Sequence, residues 1–269
     1  MKLINRTPLY IFLILVSLLI LRCATTGPGG KTSVILISTE QEVSIGKQMA
    51  EQVDKDFMIL GDTVVQNYIS RVGNKLAQVS DRKELPYHFK VIESKELNAF
   101  ALPGGYIYIY TGLLKLMESE AELAGVLGHE VGHIVARHGV IRLQQVIGIS
   151  ILLDIALGKS SEAVQQGVSV GIGLMLQGFS RENELEADYD AIFYMPRAGY
   201  NPKGMVDLLK KLNELDKSGT NVFEKLASGH PPTSQRIQEA QGYIDSLGYS
   251  NSNLPLYVED YTKLKARLK

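Results

Sequence analysis

His129-Glu130-Val131-Gly132-His133, which reads H-E-x-x-H, is the stretch that decides the fold. On a helix, positions four apart lie about 40° apart around the axis. His129 and His133 therefore project from one face, one turn apart, with imidazoles free to converge on a single metal ion. Glu130 falls in the same arc, close enough to act as a base beside the metal without being a ligand. With 5 His in 269 residues, a random chain of this composition holds about 0.006 such matches. The spacing acquires its meaning only on a helix, and only with a third ligand.

The flanking residues supply the helix. Ser119-x-x-Glu122 is a capping-box pattern that starts it near Ser119, and Leu123, Val126, Leu127 and Ile134 give it apolar contacts. Ala121, Gly125, Gly128, Gly132 and Ala136 form a stripe of small residues beside the histidine face. Each glycine costs about 1 kcal/mol relative to alanine in a helix interior. The expected compensation is a neighbouring element packed close against that stripe. Gly139 is the expected stop.

Upstream, residues 40–57 and 62–79 read as amphipathic helices, the second with Asp62 as N-cap. Residues 87–93 alternate as a strand does. Residues 98–101 form a short extended piece, and Tyr106 to Tyr110 (YIYIY) is a strong strand. Pro103-Gly104-Gly105 between the last two marks a tight reversal. Downstream, residues 143–157 and 164–176 are apolar but shorter than a bilayer span. They fit buried helices of a bundle, or a lid or membrane-touching hairpin. The pattern as a whole is mainly α with a small β-sheet (α+β).

The chain carries a net charge of −1, and no basic stripe interleaved with aromatics is present, so a nucleic-acid partner is not expected. One cysteine rules out an intramolecular disulfide. Lys2 and Arg6 precede an apolar run over residues 9–21 that ends at Cys23. That run suits the core of a signal peptide better than a spanning helix. It resembles a lipoprotein signal in which Cys23 is lipidated, although Arg22 stands where a small residue is usual; a cleaved or retained N-terminal anchor is the alternative. Either places the protein on the periplasmic side of a bacterial envelope. The expected layout is a signal peptide over 1–22, a flexible tether over 23–38, one domain over 39–250 and a C-terminal tail over 251–269.

The third ligand comes from Arg181-Glu182-Asn183-Glu184-Leu185-Glu186-Ala187-Asp188. On a helix, Glu184 and Asp188 share the inward face with Ala191, Ile192 and Met195, whereas Glu182 and Glu186 turn toward solvent. A glutamate on a buried face needs a partner to offset its desolvation, and a metal is one. Glu184 is thus the expected ligand, and Asp188 the group that accepts the N–H of a ligating histidine and fixes its tautomer. His138, five positions past His133, points about 140° away on a continuous helix and is expected to be a helix-end residue.

HEVGH followed some fifty residues later by ENELEAD resembles the zinc metallopeptidase family of the CAAX-prenyl endopeptidase and the HtpX and Oma proteases. NAFALPGGYIYIYTGLL, AGYNP and GHPPTSQRI are similar to that family's other segments, so the resemblance covers roughly residues 40–247. It implies a zincin fold of the gluzincin type, with one Zn²⁺ on His129, His133 and Glu184 and with Glu130 as the catalytic base. In layout the chain is similar to the family's stand-alone periplasmic lipoprotein members. The resemblance also implies that His230 and Arg236 stabilise the developing oxyanion; the residues themselves place Arg236 near the start of a helix that Thr233 is expected to cap. Asn98, Ala99 and Phe100 are expected to bind substrate by strand addition. The implied activity is hydrolysis of peptide bonds in unfolded or extended polypeptides, in quality control of misfolded or unassembled proteins. The competing expectation is a chaperone-like assembly factor whose zinc site is structural or blocked.

Overall fold

The computed structural model describes residues 23–25, 27–30, 32–217, 230 and 234–268. The apolar leader and Thr233 lie outside the described residues. Within the expected tether, β1 (Cys23–Thr25) pairs antiparallel with β2 (Thr32–Val34). Between them the Gly29 N–H donates to Asp190 at 3.2 Å, so this stretch is seated on the domain rather than free of it.

α1 (Thr39–Asp56) starts at Ser38, whose hydroxyl accepts from the Gln41 N–H. α2 (Thr63–Val79) starts as expected at Asp62, which accepts from the N–H groups of Val64 and Val65. Then come β3 (His88–Ile92), β4 (Ala99–Leu102) and β5 (Tyr106–Tyr110). β5 runs parallel to β3 and antiparallel to β4, which places β4 at an edge of the sheet. The Pro103–Gly105 turn joins β4 to β5 as the sequence suggested. Gly104 takes a φ of +75°, and a Cβ there would stand 2.6 Å from the Val43 Cα, so only glycine fits.

Helices cover both faces of the sheet, and the alternation of β4 and β5 sorts their side chains between two cores. Ala99, Ala101, Ile107 and Ile109 join the core beneath, built with α2 and the later helices. Phe100, Leu102, Tyr108 and Tyr110 join the core above, built with α1.

α3 (Thr111–Leu116) leads into the motif helix, α4 (Glu120–Val135). Ser119 caps α4 by accepting from the Glu122 N–H, but only half of the expected capping box forms, since Glu122 accepts from the Glu118 N–H instead. Nor does Gly139 stop the helix. It ends three residues earlier, at Ala136, and Arg137 turns left-handed with φ +56°. The cost of that conformation for a side-chain-bearing residue is offset by the partners of Arg137. Its guanidinium pairs with buried Glu42 at 2.8 Å and donates to the Ile37 carbonyl at 2.7 Å.

The apolar stretch beyond forms α5 (His138–Val146), α6 (Ile149–Ala156) and α7 (Glu162–Leu176). Val140, Leu143, Leu152, Ile155, Ile172 and Met175 pack into the upper core, so the buried-bundle expectation describes this segment. Among the described residues no single helix is long and apolar enough to cross a membrane; α5 and α6 would qualify only together, and they are bent by 119°.

α8 (Arg181–Arg197) lies against α4, followed by α9 (Lys203–Lys217), α10 (Ser234–Ser246) and α11 (Val258–Lys265). The small-residue stripe does what its composition suggested. A Cβ on Gly132 would stand 3.0 Å from the Ala187 carbonyl oxygen, and one on Gly128 would stand 3.3 Å from the Ala191 Cα. Within the expected tail, the described residues include α11, which packs on the domain. α11 buries Tyr261 and Leu264 in the lower core, and the Tyr261 hydroxyl donates to the Leu114 carbonyl at 2.7 Å. Its apolar positions are too few to stand out in the sequence, but an aromatic ring with a satisfied hydroxyl is enough to anchor it.

Candidate active site and metal centre

α4 presents His129, Glu130 and His133, and α8, pressed against it by the glycine stripe, presents Glu184 and Asp188. All five are buried. His129 Nε2 and His133 Nε2 are 3.0 Å apart, and each stands 3.4 Å from one oxygen of Glu184. Donors bound tetrahedrally to zinc at about 2.0–2.1 Å lie about 3.3–3.4 Å from one another, so the spacing of this donor set fits that metal.

The wiring of His129 fits as well: its Nδ1 faces Asp188 Oδ1 at 2.8 Å, a carboxylate that can only accept, so a neutral imidazole keeps its proton on Nδ1 and leaves the Nε2 lone pair toward Glu184. Glu130 lines the same cavity as His129 and His230, with its Oε2 buried and, among the described residues, without a hydrogen-bond partner.

His230 comes closer than an oxyanion donor needs to. Its Nδ1 is 2.9 Å from both Glu184 oxygens and 3.3 Å from His129 Nε2, while its Nε2 is 3.9 Å from Glu130. Donor atoms of His129, His133, Glu184 and His230 all lie within 4.8 Å of one another. Arg236 is spent on the carboxylates: it donates to both oxygens of Asp188 at 2.7 Å, pairs with Glu184 at 3.1 Å and reaches the His230 carbonyl at 3.2 Å.

Two charges in the site follow from this wiring. Burial works against the Glu184 carboxylate, but His230, Arg236 and the two other histidines outweigh it and hold its pKa well below the usual range. Burial also drives Glu130 the other way, raising its pKa, with only partial relief from His230 and His129. A carboxylate pushed toward neutrality takes up a proton more readily, as a general base requires.

Two expectations are corrected. His138 does not point away from His133. The break at Arg137 restarts the helix, and the two Nδ1 atoms stand 2.8 Å apart. Glu186 does not face solvent, because the Gly27–Gly30 stretch covers that side of α8 and His138 Nε2 lies 3.4 Å from it. Helical periodicity registers neither a break nor a segment from far along the chain. Phe179, which stacks on His133 with ring centroids 4.4 Å apart, had no signal in the sequence at all.

Of the proposed substrate strand, Asn98 already binds within the sheet: its carbonyl accepts from the Tyr110 N–H. Hydrogen-bonded and non-bonded pairs alternate along an antiparallel ladder. Phe100 therefore also bonds to β5, and the backbone groups of Ala99 and Ala101 point the other way, to the sheet edge, where both residues are buried. Ala99 lines a cavity of about 40 Å³ beside His129 and Glu130, walled by Leu113, Val126, Met205, Leu208, Leu209 and Leu212. A larger cavity, about 610 Å³, lies beyond His138, Phe179 and Glu186.

Residues 64–244 match the description of peptidase family M48. The chain belongs to that family, as its motifs suggested, and its architecture is the mainly helical zincin type with a small sheet. It is 28% identical over 229 residues to a beta-barrel assembly-enhancing protease of Yersinia pestis, covering 81% of this chain and 47% of that protein. It is 27% identical over 252 residues to the beta-barrel assembly-enhancing protease of Escherichia coli K12, covering 88% and 50%. To the mitochondrial metalloendopeptidase OMA1 of Schizosaccharomyces pombe it is 28% identical over 228 residues, covering 82% and 67%. The chain thus spans about half the length of the first two of these relatives.

Proposed function

We propose that the protein is a zinc-dependent metalloendopeptidase of the bacterial cell envelope, acting on misfolded or unassembled polypeptides. The observation that carries this reading is the orphaned, buried Oε2 of Glu130 beside a zinc-spaced donor set. A purely structural site has no use for that carboxylate. His129, His133 and Glu184 would hold a single zinc, which supplies Lewis acidity to the scissile carbonyl when bound. Glu130 takes the proton of the attacking water and passes it to the leaving amine. Asp188 orients His129, and Arg236 braces Asp188 and Glu184. His230 is the residue nearest to donate to a developing oxyanion once it swings from Glu184.

The β4 edge at Ala99 and Ala101, which pairs with no further strand among the described residues, suits an extended substrate backbone. The aliphatic cavity beside it suits an apolar side chain next to the cleaved bond. Envelope placement is supported by the names of the beta-barrel assembly-enhancing relatives and by the leader ending at Cys23, through which lipidation or an N-terminal anchor would tie the domain to the membrane.

One observation favours a second reading, a chaperone-like assembly factor: His230 closes the donor set to four, as in structural zinc sites. Activity decides between them. The protein loaded with zinc is expected to cleave unfolded casein, and Glu130→Gln to keep the metal and lose cleavage. Equal inertness of both proteins, each holding one zinc, would establish the second reading.

A further inference from the structure

His133 is held from behind by the residue that the helix break returns to it. His138 Nδ1 lies 2.8 Å from His133 Nδ1, and His138 Nε2 lies 3.4 Å from Glu186 Oε2. The three side chains are 1%, 4% and 6% exposed, and Phe179 packs against both rings, with centroids 4.4 and 5.7 Å away. The His133–His138 contact is thus withdrawn from solvent, and His138 and Glu186 border the larger cavity on their far side.

We propose that His138 and Glu186 are positioning residues that fix the tautomer and ring angle of His133, a counterpart to Asp188 behind His129; the inference rests on the metallopeptidase reading above. The order of protons follows from what each group can do. A neutral imidazole has one ring proton, and a carboxylate accepts only. Glu186 draws the proton of His138 to Nε2, which leaves Nδ1 as an acceptor. His133 then donates through its own Nδ1, and the lone pair of its Nε2 faces His129 and Glu184. With the order reversed, His133 would carry its proton on Nε2 and aim it into the donor set, where a metal could not bind. Each histidine on α4 thus has its own carboxylate on α8, Asp188 directly and Glu186 through an intervening ring.

The test is zinc affinity, measured by chelator competition on metal-free full-length protein, with thermal unfolding of the metal-free forms alongside. His138→Leu is expected to weaken zinc binding about 10- to 100-fold, the usual effect of removing the partner of a ligating histidine. His138→Asn, whose Oδ1 keeps an acceptor near the place of Nδ1, is expected to stay within a few-fold of the parent. Glu186→Leu should lose about tenfold while Glu186→Gln, which can still accept, loses little; this pair carries the test should His138→Leu fail to fold. Parental affinity in both leucine variants would overturn the proposal. So would equal losses in the leucine variants and their conservative counterparts, which would mark a general structural role. A parent protein that binds no zinc would sink the metallopeptidase reading itself, a separate outcome.

Discussion

Arg236 grips Asp188 with two parallel bonds of 2.7 Å, one from Nε and one from a terminal nitrogen, and Asp188 in turn holds His129 at 2.8 Å. A planar fork matched to a carboxylate thus stands behind one proposed ligand, and its third nitrogen stands 3.1 Å from another, Glu184. The arginine on α10 holds α8 to the site.

Arg236→Met would leave two buried carboxylates without their cation. Breaking a buried pair from one side costs about 3–5 kcal/mol, and denaturant unfolding of the metal-free protein should show a loss of that order. Arg236→Lys keeps the charge and gives up the fork, so a smaller loss is expected.

Asp188→Asn should lower zinc affinity about 10- to 100-fold through misorientation of His129, read by chelator competition. It also has a pH signature. Burial opposes ionisation of Asp188, but Arg236 and His129 prevail and depress its pKa below the ordinary 3.8. A depressed carboxylate contributes stability above its unfolded pKa and loses it as pH falls. The stability gap between parent and variant should therefore close as pH drops below about 4.

Asp190 predicts the opposite slope. Burial, reinforced by Glu186 and Asp81, pushes its pKa up to about 8 despite the bond from the Gly29 N–H, and its Oδ2 has no hydrogen-bond partner among the described residues. A raised carboxyl opposes folding increasingly as pH climbs from the unfolded value toward the folded one. Asp190→Asn should stabilise the protein relative to the parent by on the order of a few kcal/mol at pH 8 and by little at pH 4. A pH-independent difference in unfolding free energy would refute this.

Gly132→Ala would place a methyl 3.0 Å from the Ala187 carbonyl oxygen, on the helix that carries Glu184. Overpacking of this kind costs about 1–3 kcal/mol. Because the strain is relieved by moving α8 outward, zinc affinity should fall along with the melting temperature.

Tyr261→Phe removes one buried hydrogen bond to Leu114, a loss of about 1 kcal/mol, whereas Tyr261→Ala should cost about 3–5 kcal/mol. A negligible effect of the second change would return α11 to the status of a tail.

Much of the site was legible because its information is local. H-E-x-x-H spacing, the Asp62 cap, the alternation of Tyr106 to Tyr110 and the inward face shared by Glu184 and Asp188 are all short-range patterns, and the structure repeats each of them. The failures are those of range. The periodicity of α4 carries no trace of the Glu42 carboxylate, ninety-five positions upstream of Arg137, that helps hold the helix break open. Without that break His138 cannot be placed. Glu186 looked solvated because the Gly27–Gly30 stretch that covers it comes from the far end of the chain. The resemblance assigned Arg236 to the oxyanion, and only the fold reveals that two acids engage it.

The edge of β4, as the proposed substrate platform, bears on selectivity. Its outward bonding groups belong to Ala99 and Ala101, whose side chains carry almost no chemical identity, so a guest strand would be met mainly as bare main chain. A natively folded protein has already committed its amides and carbonyls to partners of its own, whereas a chain that has lost its structure, or not yet found it, has them to spare. On the proposed reading, a peptidase built on such an edge would sort proteins by the vacancy of their backbones, and a single cleft would then police many unrelated sequences.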